Sequence, residues 1–447
     1  MILETPPQRH YDFAIIGSGP AGITTALALG QASGRRIALI ESGGLTASAT
    51  AQDLARVELH GDLSDGYFPM HTQRCFGGSS TIWGGFCAVL EERAFLAGEW
   101  PIPFATLSRW YPDAAAILEL PANASHRASV AIPDSDTLVY KPFFLSPPVR
   151  FNRKFHEPIA NHTGIDLVLN ATCTRLLHRR GHATALELRS TSAPETPAMR
   201  LTADRFILAC GGIGNPRLLQ LSGLGDDLPV GVGLMDHPHL YAVAHMYLDW
   251  PRLQPVIDEG ERVVHALQLA DDYCVEQGLI SLSADFNRVQ VTSEPLLGRR
   301  REALLTPVSL RAELPPHPFN RVSDSDQHNA LGQPRPRVDF HFAFDELART
   351  TWNHFARALL HSGLGRPSLL APTFRIHGGG HLMGTTRMGL SPDTSVVDRH
   401  CRVHTTDNVY VAGSSVFPAG GASNPTFTIV ALALRLADHL LGGIQHG

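Results

Sequence analysis

Apolar residues form short continuous runs near the N-terminus, alternate with polar ones through the middle of the chain, and return as one long stretch near its end. YDFAIIG is an unbroken run, the pattern of a strand covered on both faces. SGPAGITTALALG then reads as a turn and a helix, and RRIALIESGG as a second strand. GIDLVLNATCTRLLHRRGHATALELRS alternates like the strands of a β-meander, and ADRFILACGGIGNPRLLQLSGLG repeats the order strand, glycine turn, helix. Further on, RPRVDFHFAF predicts a long strand and ELARTTWNHFARALLHSGLG a helix covering it. TFTIVALALRLADHLL is interrupted by Arg435, Asp438 and His439, so it predicts a buried helix and no membrane span.

The turn after the first strand carries G-x-G-x-x-G at Gly17, Gly19 and Gly22, with Pro20 and Ala21 opening the helix. Gly17 allows the tight turn, Gly19 lets the backbone approach a pyrophosphate, and Gly22 permits close packing of helix on strand. Unpaired N–H groups and the helix dipole favour the phosphates there. Glu41 closes the second strand about 20 residues past the third glycine, where a carboxylate holds ribose hydroxyls, and Ser42 follows it. A purely structural turn is the bland alternative; the strand, helix and carboxylate together favour a dinucleotide site.

The chain has 447 residues, enough for two domains or one large α/β unit. Its net charge of -5, without a block of like charge, offers no reason to expect nucleic acid as a partner. Six scattered cysteines with no C-x-x-C pair suggest reduced thiols rather than a disulfide framework. MILETPPQRH has no apolar core of a signal peptide, so the expectation is a cytoplasmic enzyme.

Further motifs lie along nearly the whole length: RCFGGSSTIWGG, GVGLMDHPHL with Asp236-His237-Pro238, RAELPPHPFNRV with Glu313, Pro315, Asn320, Arg321 and Val322, EWPIPFATLSRWYP, and the C-terminal RVHTTDNVYVAGSSVFPAGGASNPTFTI. Together they resemble the glucose–methanol–choline (GMC) oxidoreductases, nearest the pyranose oxidase and sugar dehydrogenase branch. RAELPPHPFNRV resembles the opening of the substrate domain's sheet. The resemblance implies an α/β chain: an FAD-binding Rossmann-like domain with a discontinuous α+β substrate-binding domain built on an antiparallel sheet. The FAD-binding domain is expected from 1–130, 148–240 and 365–447, and the substrate-binding domain from 131–147 and 241–364. Beyond the residues named above, Arg74, Gly78, Ser79, Trp83, Gly84, Gly85, Cys173, Cys210, Gly211, Gly413, Ser414, Asn424, Pro425 and Thr426 are expected to contact FAD. Ile82 stands where relatives with covalent flavin carry a histidine, so FAD is expected to be held non-covalently.

Oxidising an alcohol requires a base for the hydroxyl proton and an acceptor for the hydride. In HGGGHLMGTTRMG the resemblance assigns His381 as that base and flavin N5 as the hydride acceptor. Gly378, Gly379 and Gly380 remove bulk beside His381 and are expected to leave room for a flat ring or substrate. A metal pair of His377 and His381 is disfavoured because glycines oppose the helix that would align them. His377 is expected to be a core histidine satisfied by backbone, and His237, His239, His400, Cys401 and His404 to be structural.

Asn424-Pro425-Thr426 reads locally as a helix start, with Asn424 at the cap and Pro425 at the first helical position. The resemblance adds a catalytic role for Asn424, bonded to the substrate oxygen. The positive helix end would stabilise charge on a reduced flavin by ~0.3–1 kcal/mol. The expected partners are a small-molecule alcohol, with a secondary hydroxyl of a sugar, glycoside or polyol favoured, and an electron acceptor, oxygen or another. A flavin-containing lyase of the same family working by acid–base chemistry, a nicotinamide-dependent dehydrogenase and a non-catalytic binding protein are the rival readings. Oligomeric state is left open.

Overall fold

A computed structural model describes residues 1–125, 129–147, 150–257, 262–286, 290–296, 299–342, 346–367 and 375–442. The N-terminal pattern folds as expected. Strand His10–Ile16 runs into helix Pro20–Gly30 and returns as strand Ile37–Ile40, which pairs parallel to it. Phe13 to Ile16 and Ile37 to Ile40 are buried, which is why both runs are apolar throughout. The sheet is extended on one side by Ile165–Val168 and Ile2–Leu3, both parallel. On the other side Met199–Leu208 joins parallel to the first strand and carries the antiparallel meander His182–Ser190 and Ala171–Arg179. Arg180 and Gly181 turn the meander with φ of 51° and 80°, the left-handed pair that suits a two-residue hairpin. Val409–Val411 pairs parallel with Met199–Leu208, and helix Thr426–Leu440 buries its apolar face in the same core.

A second, 10-stranded sheet runs Gly365–Pro367, Pro238–Asp249, Arg299–Ala312, Leu282–Phe286, Val263–Leu269, Leu138–Leu145 and Phe86–Cys87, all antiparallel, with three further strands off this path. Helix Glu346–His361 covers this sheet, with Phe355, Ala358 and Leu359 in a core separate from the first. The chain is therefore α/β, with a nucleotide-type sheet and an antiparallel substrate-type sheet.

Several expectations change. RPRVDFHFAF is not under that helix: its strand, Pro334–Phe340, lies in a three-stranded sheet with Arg321–His328 and, in parallel, Glu58–Gly61. Ala343 and Phe344 of that stretch lie outside the described residues. RAELPPHPFNRV does not open the antiparallel sheet; it links the end of its strand Arg299–Ala312 to the three-stranded one. Phe86–Cys87, Gly365–Pro367 and Ile376–Gly378 fall in ranges expected for the nucleotide domain, yet they pair into the antiparallel sheet. Short strands of two or three residues carry no periodicity, so only the paired backbone reveals them. Residue 148, an expected boundary, lies outside the described residues.

Candidate active site

A cavity of about 710 Å³ runs from the glycine turn to the antiparallel sheet. All of the expected cofactor contacts line it except Gly22. The three motif glycines divide the work by geometry. Gly17 has φ +102°, and a Cβ there would meet Ala209 O at 2.5 Å. A Cβ on Gly22 would stand 1.9 Å from Gly17 O, so Gly22 packs the helix against the turn without facing the cavity. Nothing lies within 4 Å of a Cβ on Gly19, so there the backbone borders open space. Glu41, buried, accepts from Ser18 N (3.1 Å) and Ser18 Oγ (2.7 Å) through Oε2 and from Gly43 N (2.9 Å) through Oε1. Oε2 is thereby filled, while Oε1, with one bond, keeps acceptor capacity, and the residue lines the cavity. Arg74 Nη1 is buried with no hydrogen-bond partner and its residue lines the same cavity, a cationic donor suited to a phosphate. An elongated cavity, a bare glycine backbone and an unmatched guanidinium fit a dinucleotide.

The loop Gly78–Gly85 closes one side. Arg150 Nη1 holds it by donating to Ser80 O (3.1 Å) and Trp83 O (2.6 Å), and a Cβ on Gly78 would lie 3.0 Å from Gly19 Cα. Cys210 lines the cavity ahead of helix Gly211–Leu221; burial pushes its thiol up to about 12, so it is no thiolate. Asn215 was missed by the sequence reading. Its Oδ1 accepts from Cys210 N (2.7 Å), and its Nδ2 donates to Ala412 O (3.2 Å) and Ser415 Oγ (2.9 Å), tying the glycine turn to the C-terminal segment.

At the other end, His381 and Asn424 meet: Asn424 Nδ2 is 3.0 Å from His381 Nε2. Asn424 Oδ1 accepts from Arg311 Nη1 (2.9 Å), and Arg311 Nε pairs with Asp285 Oδ2 (2.8 Å) on the neighbouring strand. His381 Nδ1 is 2.9 Å from His237 Nδ1, and His237 Nε2 is 3.3 Å from Gly420 O. Asp236 Oδ1 accepts from the backbone N–H of both His237 and His381, each at 2.7 Å, and its Oδ2 accepts from the Tyr67 hydroxyl. Burial, then the neighbouring His237, His239, Arg311 and His71, hold His381 well below its ordinary value; burial pulls His237 down to about 4. Both imidazoles are neutral at pH 7.

Some expectations are corrected here and others refined. Asn424 is not the helix cap: the helix starts at Thr426, Pro425 occupies the cap position, and no side chain caps it. The amide is already committed to Arg311 and His381. The glycines of HGGGH line the cavity, as expected, and also make room for protein groups: a Cβ on Gly378 would strike Asp236 Oδ2 at 2.5 Å, on Gly379 His381 Nδ1 at 2.8 Å, and on Gly380 His71 Nδ1 at 2.6 Å. His377 is exposed on strand Ile376–Gly378 against the Tyr241 ring at 5.6 Å, and is not a core residue. His237, expected to be structural only, touches His381, and His239 lines the cavity. His404 Nε2 bonds Ser395 Oγ at 2.9 Å and His400 stacks on His439, so HCRVHT does not converge on one centre. Among the described residues no group of three or more His, Cys, Asp or Glu is arranged to hold a metal ion.

Asp285 and Tyr67 carry no sequence signal, since each sits in an ordinary strand or helix segment; Arg311 opens RAELPPHPFNRV, but nothing in that motif assigned it to the site. A neutral imidazole beside an amide N–H at the end of a dinucleotide-sized cavity can take a proton from a hydroxyl and hold its oxygen.

Residues 151–239 and 370–433 match the sequence profiles described as GMC oxidoreductase. The 6'''-hydroxyparomomycin C oxidase of Streptomyces lividus is 27% identical over 97% of this chain and 92% of that protein. The fructose dehydrogenase large subunit of Gluconobacter japonicus is 27% identical over 57% of this chain, and the match spans half of that subunit's length. Among solved structures, pyridoxine 4-oxidase from Mesorbium loti superposes with a TM-score of 0.61 at 18% identity, covering 97% of this chain and 100% of that one. That likeness concerns the fold. No helix among the described residues is long and apolar enough to cross a membrane.

Proposed function

The chain belongs to the GMC oxidoreductases, whose cofactor is FAD, and from that premise we propose that it oxidises a secondary hydroxyl of a sugar, glycoside or polyol to a carbonyl. The observation that carries the reading is the 3.0 Å pair of His381 Nε2 and Asn424 Nδ2 on the cavity wall. Bound FAD supplies the acceptor for the hydride that leaves the carbinol carbon. His381 Nε2 takes the hydroxyl proton, and Asn424 Nδ2 donates to the substrate oxygen as the carbonyl forms. The glycine turn, Glu41 and Arg74 bind the dinucleotide.

Ile82 offers no nucleophile, so FAD is held by contacts alone and is released on denaturation. Arg311, Asp285, Ser309, Tyr241 and His239 border the cavity beside the pair, polar company suited to a substrate with several hydroxyls. The oxidase and dehydrogenase relatives support sugar-like alcohols as the class to try first.

The test is anaerobic mixing of the FAD-loaded enzyme with a panel of sugars, glycosides and polyols, following loss of yellow colour. Bleaching by at least one member supports the reading. A substrate that is cleaved while the colour persists would favour the acid–base lyase instead.

A further inference from the structure

The hydrogen bonds through the site admit one consistent placement of protons. Two ends of the chain are groups with a single role. Gly420 O can only accept, so His237 Nε2 carries a hydrogen. Arg311 can only donate, so the Asn424 atom facing it is the carbonyl oxygen, and the amide NH2 is what meets His381 Nε2.

Between these ends the two Nδ1 atoms stand 2.9 Å apart, a contact that holds one hydrogen. Neutral His237, with its proton on Nε2, has only a lone pair at Nδ1, so that hydrogen belongs to His381 Nδ1. The opposite end demands the same answer, because an amide N–H facing His381 Nε2 requires a lone pair there. Working inward from either side, His381 is the Nδ1–H tautomer. The other tautomer would set an imidazole N–H against the amide N–H on one side and two lone pairs against each other on the opposite side.

We propose that His237 is a positioning residue that holds His381 in the Nδ1–H tautomer, while Arg311, anchored by Asp285, orients the amide of Asn424. A bare nitrogen and an N–H then stand side by side, the complement of one alcohol hydroxyl. The hydroxyl donates its hydrogen to Nε2 and accepts from Nδ2, replacing the direct contact between the two side chains. When the proton moves to Nε2, the bonding pair of O–H remains on oxygen, and the imidazolium keeps its Nδ1–H bond to His237. This inference rests on His381 being the proton acceptor. It adds that His237, the first histidine of GVGLMDHPHL, works through His381 and not on substrate.

The test uses ¹⁵N-histidine NMR of the FAD-loaded enzyme, with the His381 signal identified by its loss in His381→Ala. The expected spectrum shows His381 protonated at Nδ1 and bare at Nε2. His237→Leu removes the acceptor and should convert His381 to a tautomer mixture, with flavin reduction slowed ~10–100-fold, on the scale of losses from residues supporting a ligating histidine. His237→Asn, whose Oδ1 can replace the Nδ1 lone pair, should restore both the signal and most of the rate. A wild-type His381 protonated at Nε2 overturns the proposal, as does a folded Leu variant with unchanged tautomer and rate. If the Leu variant does not fold, the wild-type spectrum alone decides. Normal flavin reduction by His381→Ala would instead remove the base assignment, whatever tautomer the spectrum shows.

Discussion

Replacing Arg311 by methionine tests the site through a member whose role the sequence did not assign. The guanidinium is stacked between Phe86 and Phe143, 4.7 and 4.6 Å from their ring centroids, so methionine keeps much of the packing and removes the charge. Two debts follow. Asp285, buried and paired at 2.8 Å, loses its counter-ion; breaking such a pair typically costs ~3–5 kcal/mol. Burial already pushes Asp285 up to about 6 with the arginine present. Without it the carboxyl rises further and is protonated at neutral pH, which limits the loss to the lower end of that range. Asn424 Oδ1 also loses a charged donor, a bond worth ~1.5–3 kcal/mol, and its amide becomes free to turn over.

Thermal unfolding of the FAD-loaded variant should therefore show a midpoint several degrees lower, and anaerobic flavin reduction should be slower by ~10-fold or more, equivalent to about 1.4 kcal/mol. Arg311→Met combined with Asp285→Asn leaves no lone buried charge. It should recover part of the stability and none of the rate. The reasoning fails if the single variant is as stable as wild type, if the double is no better than the single, or if either reduces flavin at the normal rate.

His381→Ala should retain FAD and reduce it ~10²–10⁴-fold more slowly, the range for a lost general base; normal single-turnover bleaching would refute the role. Because burial holds the His381 pKa below its ordinary value, the imidazole stays unprotonated through neutral pH. A depressed folded-state pKa makes both rate and stability constant above the ordinary histidine value of about 6.5 and lost as pH falls through the lower, folded one; an acid limb of kcat centred at the ordinary value would contradict this. Gly19→Ala should leave the apoprotein's thermal midpoint unchanged and weaken FAD retention, since its methyl enters open cavity. Gly22→Ala, 1.9 Å from Gly17 O, should destabilise the apoprotein by at least the ~1–3 kcal/mol typical of overpacking. Apoprotein melting and FAD titration separate the two, and equal effects from both would sink the division of roles. Precipitating the holoenzyme with acid should leave FAD in the supernatant; flavin retained in the pellet would show a covalent link.

The nucleotide half of this protein was legible because its signals are local. An apolar run buried on both faces, a turn that only glycine can make at φ +102°, and a carboxylate closing the next strand are written within one short stretch. His381 and Asn424 were legible through motif resemblance, and the meander through its alternation. The antiparallel sheet's short edge strands were not legible, since two or three residues hold no period. Nor could the chain's order reveal that His237, Arg311, Asp285 and Tyr67, drawn from four separate segments, converge around one imidazole. Sequence determined which groups can donate, accept or carry charge. Folding alone decided which of them stand within 3 Å of each other, and a tautomer is a property of that adjacency.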